Sequence, residues 1–335
     1  MHVYIDESGV FKPLEGIRSR ASGFGALILR SKTKDSLFEE FGYLSRRWEK
    51  SGKEVKGSAL SEQQIAKVYR LLAKYDAILE ATIVDAGLHR SEGIEAFKRA
   101  QAANIVANIP TTYSKAQVEH FEGLRDRWLQ LPHQLAIQVI ALTEVVEQAI
   151  QTSTLYYAQR RPAEIGSFEW VLDAKGRKRT TAETLWQFLV LPFLQSRSLE
   201  EPLRLLEGAD YSHFLAAFDT QVPEYLIDKI PAGKPAQGAN IKTILANLRF
   251  GDSLEEPGLR LVDIALSGLT RALNGTLQPD GWLGLGDLLV LRRPQSIRFI
   301  ELWGGSGKPN PRFTTVVRQL EKSAKTMSPG KMRRL

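Results

Sequence analysis

The sequence predicts an α/β fold, a mixed sheet flanked by helices with a helical insertion, and three observations lead there. Short apolar runs rich in β-branched and aromatic residues occur at Met1–Gly9, Ser22–Arg30, Asp76–Val84 and Gly166–Leu172. Segments whose apolar residues recur at helical spacing alternate with these runs. A mostly helical stretch, about residues 91–151, lies between the third run and the fourth.

The opening strand is read from Val3 and Ile5, which alternate with His2 and Tyr4 until Ser8 and Gly9 break the run. Asp6 and Glu7 therefore sit at its C-terminal end, where many α/β enzymes hold a metal or a catalytic acid. An ordinary turn is the alternative, since Asp, Ser and Gly are turn formers. Ser22–Arg30 follows closely enough to complete a hairpin. Asp35–Lys50 spaces Leu37, Phe38, Phe41, Leu44 and Trp48 as a helix does. After Lys53–Ser58 a second helix starts at Ser61, with Glu62 early and Ile65, Val68, Leu71 and Leu72 on its apolar face.

In the helical stretch, Leu135, Val139, Leu142, Val146 and Ile150 form one apolar stripe, read as core. The strand Gly166–Leu172 again ends in a carboxylate, Asp173, followed by the basic turn Lys175–Arg179; Thr181–Gln195 is helical. Residues 199–239 combine a helix around Tyr211–Phe218 with the proline- and glycine-rich loop Pro231–Gly238, and read as an insertion or a lid. Ile241–Phe250 reads as a strand leading to Gly251–Ser253, and Gly258–Leu273 as an apolar helix interrupted by Asp263. Two further strands, Leu288–Leu291 and Ile297–Leu302, precede a basic tail. Without a repeat or a separating linker, the expectation is one domain over 1–305, with helical insertions at about 91–151 and 199–239. A basic tail, 306–335, completes the chain.

Of the 335 residues, 43% are hydrophobic and 25% charged, as in a folded globular chain. The absence of cysteine excludes disulfides and thiolate zinc sites. The five histidines lack ligand spacing, so any metal would be held by oxygen, which favours Mg2+ or Mn2+. No apolar stretch reaches membrane-spanning length, and the N-terminus runs straight into a strand, so a cytoplasmic location without membrane contact is expected. A net charge of +7 and a pI near 9.4 favour an acidic partner such as nucleic acid. The surplus clusters at Lys175, Arg177 and their neighbours and at Lys322, Lys325, Lys331, Arg333 and Arg334, groups that also suit a solvated face.

Four acids then need explaining. Asp263 is flanked by Leu259, Leu261, Val262, Ile264, Ala265 and Leu266, and a carboxylate in such surroundings needs a cation, a metal or a hydrogen-bond network. A salt bridge to Arg260 or Arg271 is one solution. Asp6 and Asp173 close strands, and Glu54 sits in a basic stretch between helices. Repulsion disfavours bringing Asp6, Glu54, Asp173 and Asp263 together unless divalent cations neutralise them. Ions so clamped can activate water and stabilise the leaving oxygen of a phosphodiester, while basic residues contact the phosphate backbone. That is the chemistry of a metal-dependent nuclease.

Tyr4–Gly9 (YIDESG), Glu54–Ser58 (EVKGS), Val171–Asp173, Asp252–Ser253 and Gly258–Ile264 (GLRLVDI) resemble, in this order, a bacterial family catalogued as domain of unknown function number 3800. The resemblance implies a ribonuclease H-like fold. It also implies metal-ligand roles for Asp6, Asp173 and Asp263, Glu54 as a fourth acid, and Lys56 as a cation pairing with phosphate or acid. The final helix departs from the pattern, reading Leu-Arg-Leu-Val-Asp where glutamine and alanine are expected, and 199–239 and the tail lie outside it.

The leading expectation is a Mg2+-dependent nuclease acting on DNA or RNA. A bacterial-defence or toxin role is compatible with it, as is a protein partner that delivers the substrate. The alternative is a catalytically silent module on the same fold that binds nucleic acid or a protein partner.

Overall fold

Alternation decides which side chains of the first strand meet which layer. In the computed structural model, which describes residues 1–12, 19–48, 55–107, 109, 111–173, 181–200, 202–219, 238–292, 295–302, 310–328 and 332–334, β1 (His2–Ser8) lies centrally in a six-stranded mixed sheet. Its neighbours are β2 (Ala21–Leu29) on one side and β4 (Glu169–Asp173) on the other. β3 (Ile78–Asp85) and β6 (Arg298–Ile300) extend the sheet beyond β2, and β5 (Leu248–Gly251) beyond β4, giving the order β5–β4–β1–β2–β3–β6. β1, β2 and β3 are successively antiparallel, whereas β1–β4, β4–β5 and β3–β6 are parallel pairs. The hairpin and the α/β class expected from the sequence are both present.

Helices cover both faces, so every residue of β2 and β3 is buried. Val3, Ile5, Ala26 and Ile28 belong to one apolar core with α5 (His133–Arg160). Tyr4, Leu27, Leu29 and Leu79 belong to the other, with α7 (Pro257–Asn274) and α2 (Glu62–Lys74). Ser61 caps α2 in a reciprocal capping box with Gln64, which satisfies two of the backbone donors that a helix start leaves without partners. α7 lies close against β1 because Gly258 faces the Tyr4 ring, where an added Cβ would sit 2.4 Å from ring carbons.

α1 (Lys34–Ser45) flanks α2 on the second core. The expected helical stretch divides into α3 (Ser91–Ala107), α4 (Lys115–Gln130) and α5. α5 is the cover of the first sheet face: Val139, Leu142, Val146 and Ile150 are buried, and Leu135 is half-buried. Thr181–Leu185 continues through a π-helical turn, Trp186–Val190, into α6 (Leu191–Glu200). Within 199–239 the described residues carry a short 3-10 helix at Ser212–Ala217; the loop Pro231–Gly238 falls outside them save Gly238, whose backbone pairs with Asp219.

Three expectations are corrected. Ile241–Phe250 is not one strand: the Asn240 side chain accepts the Thr243 amide and caps a helical turn, Ile241–Ile244, so only Leu248 onward joins the sheet. Leu288–Leu291 is the exit of a 3-10 segment with Leu285, Leu288 and Leu289 fully buried, and contributes only a bridge from Val290 to Lys325. A short apolar run marks burial more firmly than it marks a strand. The supposed basic tail contains α8 (Pro311–Leu320), which buries Phe313, Val316, Val317 and Leu320 in the second core. These four recur at helical spacing ahead of the basic residues of 322–334, so a label drawn from charge passes over the amphipathic pattern. Among the described residues no helix is long and apolar enough to cross a membrane.

A charged pair is enclosed between β3 and α5. Glu80 is 1% exposed, and its Oε2 accepts a hydrogen bond from Arg292 at 2.5 Å. Arg292 also donates to Gln148 on α5 and to the Ser296 carbonyl. Burial pushes the Glu80 carboxyl up from 4.5 to about 7, against the pull of the Arg292 guanidinium. An acid whose folded value exceeds its unfolded value takes up a proton on folding at intermediate pH. Its stabilising contribution is therefore fullest below about 4.5 and is lost as pH rises to about 7. Glu80→Gln removes this titration. The stability of the native chain relative to Glu80→Gln is expected to fall by about 3 kcal/mol across that interval in denaturant titrations. A pH-independent difference would overturn this account.

Candidate functional site

Asp6 and Asp173 become neighbours through strand pairing. The parallel register of β1 and β4 runs from His2 opposite Glu169 to Ile5 opposite Leu172, and the next step along both strands reaches Asp6 and Asp173. Asp6 follows the parity of Tyr4, and Asp173 that of Val171, which lie on the side covered by α7, but at the strand ends both residues also border the cavity on the α5 side. Both are half-buried. The Glu7 amide donates to Asp6 Oδ1 at 2.7 Å, which fixes the carboxylate two residues before the strand ends.

α7 follows the same course as β1. Gly258 lies over Tyr4, and the Thr270 hydroxyl meets the Ser8 hydroxyl at 2.9 Å. Asp263 precedes Thr270 by two turns and so shares its helix face about 10 Å upstream. On β1 the same direction leads from Ser8 back towards Asp6. Asp263 is half-buried, and its Oδ2 accepts the Gly57 amide at 2.9 Å. A hydrogen bond from backbone meets part of the polar demand of this acid in its apolar helix. Arg271, one of the two expected salt-bridge partners, instead donates to the carbonyls of Leu60 at 2.8 Å and Gly57 at 3.3 Å.

These contacts dock the segment beginning at Val55 onto α7. Gly57 is required there: an added Cβ would lie 2.7 Å from the Ile264 Cα and 2.9 Å from the Asp263 carbonyl oxygen. Lys56, next to it, is exposed. Glu54, Lys175 and Arg177 lie outside the described residues. The structure thus brings Asp6 beside Asp173, sets Asp263 on the helix that covers them, and ties Asp263 to the Lys56–Gly57 segment. Among the described residues, no three His, Asp or Glu side chains form a group ready to hold a metal ion.

Glu7 follows the opposite parity. It points towards α5, where Gln138 Nε2 donates to its Oε2 at 2.8 Å. Beside this pair is a cavity of about 310 Å³ between the sheet and α5, walled largely by apolar side chains such as Ile5, Phe24, Leu142 and Leu172. It reaches the strand ends, where Asp6, Glu7 and Asp173 border it. Sequence reasoning missed Gly57, Gln134 and Gln138. The only signal for the glutamines is their spacing of four on a helix read as core, which puts two amides on one face.

Comparisons with protein-family models, with curated proteins and with solved structures found no match to this chain.

Proposed function

We propose that the chain is a metal-dependent nuclease of ribonuclease H-like fold that hydrolyses phosphodiesters of DNA or RNA. The observation that carries the reading is the adjacency of Asp6 and Asp173 at the C-terminal ends of two parallel central strands. An antiparallel hairpin continued by parallel strands on the other side of β1 is compatible with that fold, an argument by analogy.

The donor set fits a hard divalent cation. Asp6, Asp173 and Asp263 offer carboxylate oxygen, and the chain has no cysteine. Asp6 and Asp173 would hold Mg2+ or Mn2+, with Asp263 and Glu54 as the further acids. The ion supplies activation of water and neutralisation of the leaving oxygen. The Glu7 amide holds one oxygen of Asp6 and so orients the carboxylate beside Asp173. Gly57 orients Asp263, and Lys56 beside it is placed to pair with a phosphate.

A second reading, a silent nucleic-acid-binding module, is favoured by one observation: Asp263 Oδ2 is already engaged by a backbone amide. One experiment separates the two. Labelled single- and double-stranded DNA and RNA are incubated with the full chain in Mg2+, Mn2+ or EDTA. Cleavage that requires the metal is expected. Binding of the same strands without cleavage in any metal would leave the silent module standing.

A further inference from the structure

The cavity under α5 is larger than metal chemistry requires. About 310 Å³ is at the lower end of the range for small-molecule sites, enough for a nucleoside-sized group. Its walls are apolar, with Phe24 contributing an aromatic ring and Leu142 and Leu172 flanking it. Its polar groups are two glutamines from α5 and, at the strand ends, the carboxylates of Asp6, Glu7 and Asp173. Gln134 and Gln138 are one turn apart and border the same space, and Gln138 is braced by the Glu7 carboxylate at 2.8 Å. The Gln134 amide makes no hydrogen bond within the described residues.

This is the chemistry that recognises a nucleobase. Apolar and aromatic walls take the flat ring, and a glutamine amide offers a donor and an acceptor side by side, which matches the N6 and N7 edge of adenine. The cavity ends at Asp6 and Asp173, so a base seated in it brings its own phosphate to the strand ends. We propose that this cavity holds an unstacked nucleobase of the strand being cut, an assignment that rests on the nuclease reading. The enzyme would then prefer single-stranded or locally opened substrate, because a stacked and paired base cannot enter.

The test is equilibrium binding of AMP and of ribose 5-phosphate, which lacks the base, to the full chain in Mg2+ by calorimetry. AMP is expected to bind at least tenfold more tightly. Leu135→Trp fills the cavity from a half-buried position; it should reduce AMP binding to the level of ribose 5-phosphate and leave the latter unchanged. Gln134→Leu keeps the wall but removes the amide, and should lower AMP affinity severalfold, so the question is answered even if the tryptophan variant does not fold. Equal binding of the two ligands overturns the assignment, as does AMP affinity indifferent to both variants. Metal-dependent cleavage with equal binding defeats only the base pocket. A base preference lost in Leu135→Trp, without cleavage by the native chain, supports the pocket and defeats only the nuclease.

Discussion

Asp6→Asn is expected to lower metal-dependent phosphodiester cleavage by roughly 10³-fold or more while leaving the fold intact. The substitution preserves shape and keeps an oxygen able to accept the Glu7 amide, so β1 should still end as it does. What it removes is the negative charge beside Asp173 that a divalent cation would require. Asp263→Asn should behave alike in cleavage, because its amide oxygen can still receive the Gly57 amide and hold the Val55–Leu60 segment on α7. Thermal unfolding of both variants should remain close to that of the native chain. The measurement is initial cleavage rate in Mg2+ at matched folded concentration. Full activity in both variants would sink the assignment.

Well above pH 7, where Glu80 is ionised, Arg292→Ala is expected to destabilise the chain by about 3–5 kcal/mol, the largest stability effect anticipated from a single side chain here. Removal of the guanidinium leaves Glu80 enclosed between β3 and α5 without its cation, and takes donors from Gln148 and from the Ser296 carbonyl. Adding Glu80→Leu to that variant should restore much of the loss, since replacing both members of a buried pair by apolar groups is far less costly than stranding one of them. Denaturant midpoints of the two single variants and the double variant check this. A loss below about 1 kcal/mol for Arg292→Ala would show that the pair does not hold α5 and β3 together.

Local periodicity was legible where neighbours along the chain determine it. Alternation identified β1, and the spacing of Val139, Leu142, Val146 and Ile150 identified the buried face of α5, because both patterns reflect which side chains must leave water. The same reasoning failed at Ile241–Phe250 and Leu288–Leu291, where apolar runs satisfy their burial in helical turns and loops. α8 was obscured because the segment was characterised by the basic residues that follow the helix and not by the helix's own apolar spacing.

The candidate site was legible only as separate parts. The sequence by itself placed Asp6 towards the C-terminal end of one strand and Asp173 at the end of another, turned Glu7 away from Asp6, and showed Asp263 interrupting an apolar helix. Only the tertiary structure decided that Asp6 and Asp173 are neighbours, that α7 runs along β1, and that Gly57 answers Asp263. The physical reason is that strand pairing is non-local. Every strand carries the same backbone donors and acceptors, so its partner is selected by the burial of both faces at once. Those faces are completed by α5 and α7, which lie more than a hundred residues further along the chain than β1.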